Sequence, residues 1–191
     1  MKPDEIDMER LLQGDKEEFG KMVQRESPRL FRVIVRMLRD DDEAESVMQE
    51  AFLQAYKGLD SFRGDSKFTT WLYAIGINLA KASLRKNKRV SQYEEDDIER
   101  MQPAFSKGMY VESFDTWDPS KLAEREQRKR IVHDAIDRLP TDYRTIVILR
   151  DIEELSTAEA AAILDITEGA ARVRLHRARQ ALRSILHEYF S

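Results

Sequence analysis

STAEAAAILDITEGAARVRLHRARQALR, residues 156–183, is the stretch whose reading decides the fold. Ser156 and Glu159 stand in the spacing of a capping box, where the serine oxygen accepts from the glutamate's backbone N–H and the carboxylate reaches back to the serine's. That predicts a short helix over Thr157–Leu164. Asp165, Ile166 and Thr167 then make a turn, with Asp165 where a left-handed residue is wanted and Thr167 as the N-cap of a longer helix near 168–188. A short helix, a three-residue turn and a longer helix are the dimensions of a helix-turn-helix.

Helical stepping along the second helix gathers Ala171, Leu175, Ala178, Leu182, Ile185 and Leu186 into one apolar stripe, the face expected to enter a core. Arg172, Val173, His176 and Arg177 fall opposite it, in the N-terminal half that meets base edges when such a helix lies in a major groove. Arg174 and Arg179 border the stripe, where a guanidinium reaches a phosphate or snorkels to water. Residues 167–183 hold five arginines and one acid, Glu168. A charge run alone more often means a solvated helix, and it is the capped partner helix and the turn that tip the reading to DNA binding.

Working outward, helical periodicity is strong on both sides of a middle segment and strand alternation is nearly absent, with only 7 Gly and 5 Pro in 191 residues. The chain reads as all-α: two small helical domains, 1–89 and 121–191, joined by a flexible acidic linker over 90–120. Helices are expected near 4–13, 15–39 with an interruption at Pro28, 41–57 and 67–88, then 121–138, 142–152, 157–164 and 168–188. A linker of that length is uncommon inside one compact domain. Its aromatics, Phe105, Tyr110, Phe114 and Trp117, are unusual for a solvated spacer and suggest docking on a partner or on the flanking domains.

Net charge is -4, but it is unevenly spread. Residues 90–122 carry three basic and eight acidic side chains, whereas Lys81, Arg85, Lys86, Lys88 and Arg89 form an acid-free run, as do the arginines from Arg172 to Arg183. Two separate basic footprints are expected.

In the first domain, Asp40 and Glu43 can cap a helix with Ala44, Val47, Met48, Ala51, Phe52 and Ala55 on its core stripe and Glu45, Gln49 and Glu50 on exposed flanks. The next helix, FTTWLYAIGINLAKASLRKNKR, has two apolar stripes and is expected to pack on two sides. Between them run Ala74, Asn78, Lys81 and Arg85. A cationic strip beside aromatics suits melted or single-stranded nucleic acid, whose bases stack while cations follow the phosphates.

Several classes are excluded. With no cysteine there is neither a disulfide nor a thiolate metal cluster, and three scattered histidines give no ligand spacing. No metal or other cofactor is expected. The acidic run 40–45 lacks the glycine and spaced oxygens of a calcium loop and is better read as acids at the positive end of a helix. Neither a secretory signal nor a spanning segment is present, which predicts a cytoplasmic protein with no membrane contact of its own. Arg63-Gly64-Asp65 matches an adhesion tripeptide by chance.

In their order, LLQGDKEEF, EAESVMQEAFLQAYKGLDSFRGDSKFTTWLY, DRLPTDYRTIVILRDIEELS and TAEAAAILDITEGAARVRLHRARQAL resemble the extracytoplasmic-function sigma factors of bacterial RNA polymerase, which keep only the domains called region 2 and region 4. The resemblance implies that Glu45, Gln49 and Glu50 dock on the clamp helices of the polymerase's largest subunit. It implies that the loop Phe62, Arg63, Asp65, Ser66, with Asn78, Lys81 and Arg85, captures an unstacked base of the minus-10 element. Arg172, Val173, Arg174, His176 and Arg177 would then contact the minus-35 element. Core polymerase, promoter DNA and an anti-sigma factor are the expected partners, with no enzymatic activity and no small-molecule substrate. Ser46 stands where the family usually has an acid, and Ala170, Ala171 and Val173 replace more polar or branched residues. Rival readings are a polymerase-independent helix-turn-helix regulator, a metal-dependent nuclease built on the Asp40–Glu45 cluster, and an adaptor that binds polymerase without DNA.

Overall fold

The computed structural model describes residues 6–87, 93–102 and 124–190. Among them every regular element is helical: α1 (Met8–Leu12), α2 (Lys16–Leu38), α3 (Asp41–Lys57), α4 (Phe68–Lys86), α5 (Glu95–Arg100), α6 (Glu124–Arg138), α7 (Thr141–Val147), α8 (Thr157–Leu164) and α9 (Glu168–Phe190). No helix of the described residues is long and apolar enough to cross a membrane. The linker aromatics Phe105, Tyr110, Phe114 and Trp117, and the cations Lys88 and Arg89, lie outside the described residues.

The first group, α1 to α4, is organised by capped starts and small residues at its crossings. Asp15 accepts from the N–H groups of Glu17 and Glu18 and starts α2; Asp40 accepts from that of Glu43 at 2.9 Å and starts α3. Both place a carboxylate at the positive end of a helix. Ala44, Ala51 and Ala55 of α3 are fully buried, and Gly76 lets α4 approach α2 and α3 closely. A Cβ at Gly76 would stand 3.0 Å from Leu30 Cδ1 and 3.7 Å from Ala51 Cβ.

The expected interruption at Pro28 does not occur, and α2 runs unbroken through it. Proline costs the helix one backbone bond and crowds the preceding turn, about 3 kcal/mol in a helix interior. Met22 before it, and Leu30, Val33 and Ile34 after it, are all fully buried in one core, so packing holds both halves on one axis. The Ser27 hydroxyl also donates to the Val23 carbonyl at 2.5 Å.

The helix expected over 142–152 divides. After α7 the chain widens into a π turn, Ile148–Ile152, in which the Glu153 N–H donates to the carbonyl of Ile148 at 2.9 Å. Ile146, Val147, Ile148 and Leu149 are four consecutive buried residues, so no alternation of apolar and polar positions leads into the change of pitch. Glu154 closes it with φ 55.

A short helix, α5, lies within the segment read as linker. Its Ile98 is fully buried and it packs on α9. One buried apolar residue in six is too little for a periodicity to register.

The two helical groups lie against each other. α4 sits between α2 and α3 on one side and α8 on the other, as its two apolar stripes predict, while α7 and the π turn reach α2. Arg144, 8% exposed, donates across this seam to the Met37 carbonyl at 3.4 Å and within its own domain to that of Leu139 at 3.3 Å.

Candidate nucleic-acid interface

α8, its turn and α9 form as the sequence predicts. The Ser156 hydroxyl accepts from the Glu159 N–H at 3.1 Å, and the Glu159 carboxylate accepts from the Ser156 N–H at 3.1 Å. Asp165 takes the left-handed conformation, φ 53, and Thr167 Oγ1 accepts from the Ala170 N–H at 3.1 Å. The Glu159 carboxyl is pulled down to about 2, chiefly by the hydrogen bond from Lys67 and then by those from Ser156.

Ala171, Leu175, Ala178 and Ile185 of α9 are buried, Leu182 and Leu186 half-buried, and Ala181 joins them. On the opposite side Arg172, Val173 and His176 are exposed, Val173 at 52%. Arg172 pairs with Glu168 one turn back at 2.7 Å. Arg177 meets Glu99 of α5 at 3.0 Å, and its carbonyl accepts from Gln102 at 3.3 Å. Arg179 grips Asp151 with both Nε and Nη2, at 3.1 and 2.5 Å, an internal tie rather than a free cation.

In the first domain, Phe62 is half-buried against Phe68 and Trp71, ring centroids 5.5 and 5.3 Å away. That cluster anchors a loop whose Arg63 and Asp65 are exposed and whose Gly64 has φ 77; Ser66 is half-buried. Asn78 and Arg85 are exposed along α4, while Lys81 is drawn inward to Asp142 at 2.6 Å. Arg174 approaches the same carboxylate at 3.5 Å. Burial pushes the Asp142 carboxyl up, but the bond from Lys81 and the charges of Lys81, Arg174 and Arg85 outweigh it and hold the group below its ordinary value. The two basic footprints, expected to be separate, therefore converge on one acid. Their separation in sequence hid this.

Glu45, Gln49 and Glu50 form a third, outward-facing group on α3. Gln49 donates to Glu45 at 3.1 Å and Gln54 to Glu50 at 2.9 Å. The Ser46 hydroxyl is spent on the Asp42 carbonyl at 3.0 Å. In their midst Leu53 is 45% exposed, a residue the sequence reading passed over. The signal was there: on a helical wheel Leu53 lies off the core stripe, between Gln49 and Glu50.

Among the described residues no three His, Asp or Glu side chains are arranged to hold a metal ion. Two clefts open along the seam between the domains. One of about 300 Å³ is lined by Arg36, Arg39, His133 and Asp137; the other, about 250 Å³, by Lys67, Thr70, Tyr73 and Glu159.

The models of two protein families match this chain, Sigma-70 region 2 over residues 22–90 and Sigma-70, region 4 over residues 129–182. RNA polymerase sigma-H factor of Pseudomonas aeruginosa is 37% identical over 175 residues, 92% of this chain and 89% of that one. The ECF RNA polymerase sigma-E factor of Escherichia coli K12 is 37% identical over 180 residues, 94% and 92% of the two chains. Among solved structures, CnrH in complex with the cytosolic domain of CnrY superposes with a TM-score of 0.64 at 24% identity, covering 95% of this chain and 99% of that one. RpoE of Bartonella quintana, in complex with the anti-sigma factor NepR, gives 0.62 at 24% identity over 90% and 98%. These two likenesses speak to the fold.

Proposed function

The chain belongs to the extracytoplasmic-function RNA polymerase sigma factors and serves as an alternative sigma factor directing RNA polymerase to promoters, and we propose that three of its faces divide that work. The outward face of α3, Glu45, Gln49 and Glu50 with Leu53 at its centre, docks on core polymerase. An exposed leucine rimmed by charged and amide side chains has the layout, apolar centre and polar rim, of a small interface. The loop Phe62 to Ser66 with Asn78, Lys81 and Arg85 holds the minus-10 strand, and α9 reads the minus-35 duplex through Arg172, Val173, Arg174, His176 and Arg177.

The factor promotes melting without catalysing a reaction. Extracting one base from the stack costs a few kcal/mol, and stacking in a pocket returns about 1–3 kcal/mol per base, with phosphate contacts supplying more. Residues 1–89 and 121–191 act as the two functional domains. The site of action is the cytoplasm, where the polymerase is. Since one structural neighbour is the sigma factor RpoE in complex with the anti-sigma factor NepR, an anti-sigma factor is the expected regulator.

The observation that carries this reading is the pairing, in one chain, of a helix-turn-helix whose Arg172, Val173 and His176 stand free of the core with an α3–α4 pair that turns Glu45, Gln49, Glu50 and Leu53 outward and leaves Asn78 and Arg85 exposed. Run-off transcription with purified core polymerase on genomic promoter fragments tests it. Added protein is expected to start transcripts at a subset of promoters. Tight, specific DNA binding by the isolated protein with no added initiation at any promoter would instead support a polymerase-independent regulator.

A further inference from the structure

Glu153 follows the π turn, is 8% exposed, and faces three arginines of α2. Arg29 and Arg32 approach its carboxylate at 3.7 and 3.5 Å, Arg36 hydrogen-bonds it, and Arg29 also donates to its carbonyl at 2.8 Å. The neighbouring ties have the same polarity. Arg39 reaches Asp137 and, at 3.8 Å, Asp134; Lys67 pairs with Glu159 at 2.9 Å, and Lys81 with Asp142 at 2.6 Å. Each sets a cation of the first domain on a carboxylate of the second. Salt bridges that arise by chance on two mixed surfaces run in both directions; these ties, all of one polarity, mean two complementary faces.

Those cations include Lys81, already placed with the minus-10 strand, and Arg29, Arg32, Arg36 and Arg39, to which no role has been assigned. The spacing of Arg29, Arg32 and Arg36 puts them along one side of α2, and Arg39 follows as the helix's C-cap, a row suited to a chain of anions. We propose that the carboxylate face of the second domain, Asp134, Asp137, Asp142, Glu153 and Glu159, occupies this cationic face in the place of a nucleic-acid backbone, with Glu153 as the latch. The α2 arginines are thus a further polyanion-binding surface, closed in the free protein and opened when the domains part.

The seam is built to part. Tyr73, 3% exposed, lines the cleft beside Thr70 and Glu159, and its buried hydroxyl meets no protein hydrogen-bond partner among the described residues. An unsatisfied buried hydroxyl penalises the closed form, and opening gives it water. Two clefts, each lined in part by charged side chains, open along the join.

The chain has no cysteine, so cysteines placed at exposed Lys57 and Ala162 carry spin labels whose separation can be measured in the free, full-length protein. The wild type should give a short distance at low salt that lengthens as salt rises. Glu153→Arg should be open at every salt concentration and should bind a mixed-sequence single-stranded DNA oligonucleotide roughly tenfold tighter than the wild type, by releasing the face for phosphates. Adding Arg32→Glu and Arg36→Glu to Glu153→Arg should restore the short distance, an outcome that misfolding cannot mimic. If Glu153→Arg lowers helix content, Glu153→Gln replaces it, with a smaller lengthening expected. A distance that neither Glu153 variant changes, an open variant with no gain in DNA affinity, or a charge-swapped chain that stays open overturns the proposal. The measurement needs neither polymerase nor promoter, so it stands or falls apart from the function assigned above.

Discussion

Arg177, proposed above as a minus-35 contact, is already engaged by Glu99 of α5. Its pair with Glu99 is solvent-exposed on both sides, and such pairs contribute about 0–1 kcal/mol. On the minus-35 assignment proposed above, a bidentate contact to a base edge is worth about 1–3 kcal/mol, enough for DNA to displace Glu99. Arg177→Ala or Arg172→Ala should cost about 1–3 kcal/mol at one base position of the minus-35 element, measured by titrating single-base variants of the duplex. A loss uniform across all sequences would make the contact one to phosphate. Glu159 carries a second residue-scale prediction. Its carboxyl lies at about 2 against an ordinary 4.5, so ionised Glu159 contributes stability that is full above the ordinary value and is lost as pH falls through about 4.5 towards 2. The melting temperature should drop across that window, and Glu159→Gln should show less of the drop while melting lower at neutral pH.

At the scale of elements, Gly76 decides how closely α4 crosses α2. An alanine there brings its Cβ to 3.0 Å from the end of Leu30, a flexible tip that can turn aside, and it recovers about 1 kcal/mol of helix propensity. The two effects nearly cancel. Valine adds two more carbons with nowhere to go, and Gly76→Val should destabilise by about 1–3 kcal/mol in urea unfolding. The caps and stripes that define α3, α8 and α9 were legible because they are local: Asp40 with Glu43, Ser156 with Glu159, and Asp165 at its turn each declare themselves within four residues. Pro28 misled because a local penalty of about 3 kcal/mol was set against burial spread over both halves of α2. The π turn left no mark because all the residues before it are buried, and α5 has only Ile98 to speak for it.

At the scale of the whole molecule, the two helical domains were readable, but their mutual arrangement was not. Arg36 and Glu153 are 117 residues apart and Lys67 and Glu159 are 92 apart; complementary charges at such distances leave no periodic trace in a chain where 36% of residues are charged. The exposed trio on α3 was found, yet the leucine among them was not, because a lone apolar residue on a polar flank looks like noise until its surroundings are seen. That flank has one more implication. α3 turns Glu45, Gln49, Leu53 and Glu50 outward while Lys67, Lys81 and the α2 arginines are engaged with the second domain. On the assignment above, polymerase meets its docking face ready-made, whereas the minus-10 strand meets one still partly occupied. Assembly then acquires a sequence in time: enzyme before melted template, so that an unpartnered molecule can touch duplex through α9 but gains its grip on the separated strand only once it rides on polymerase.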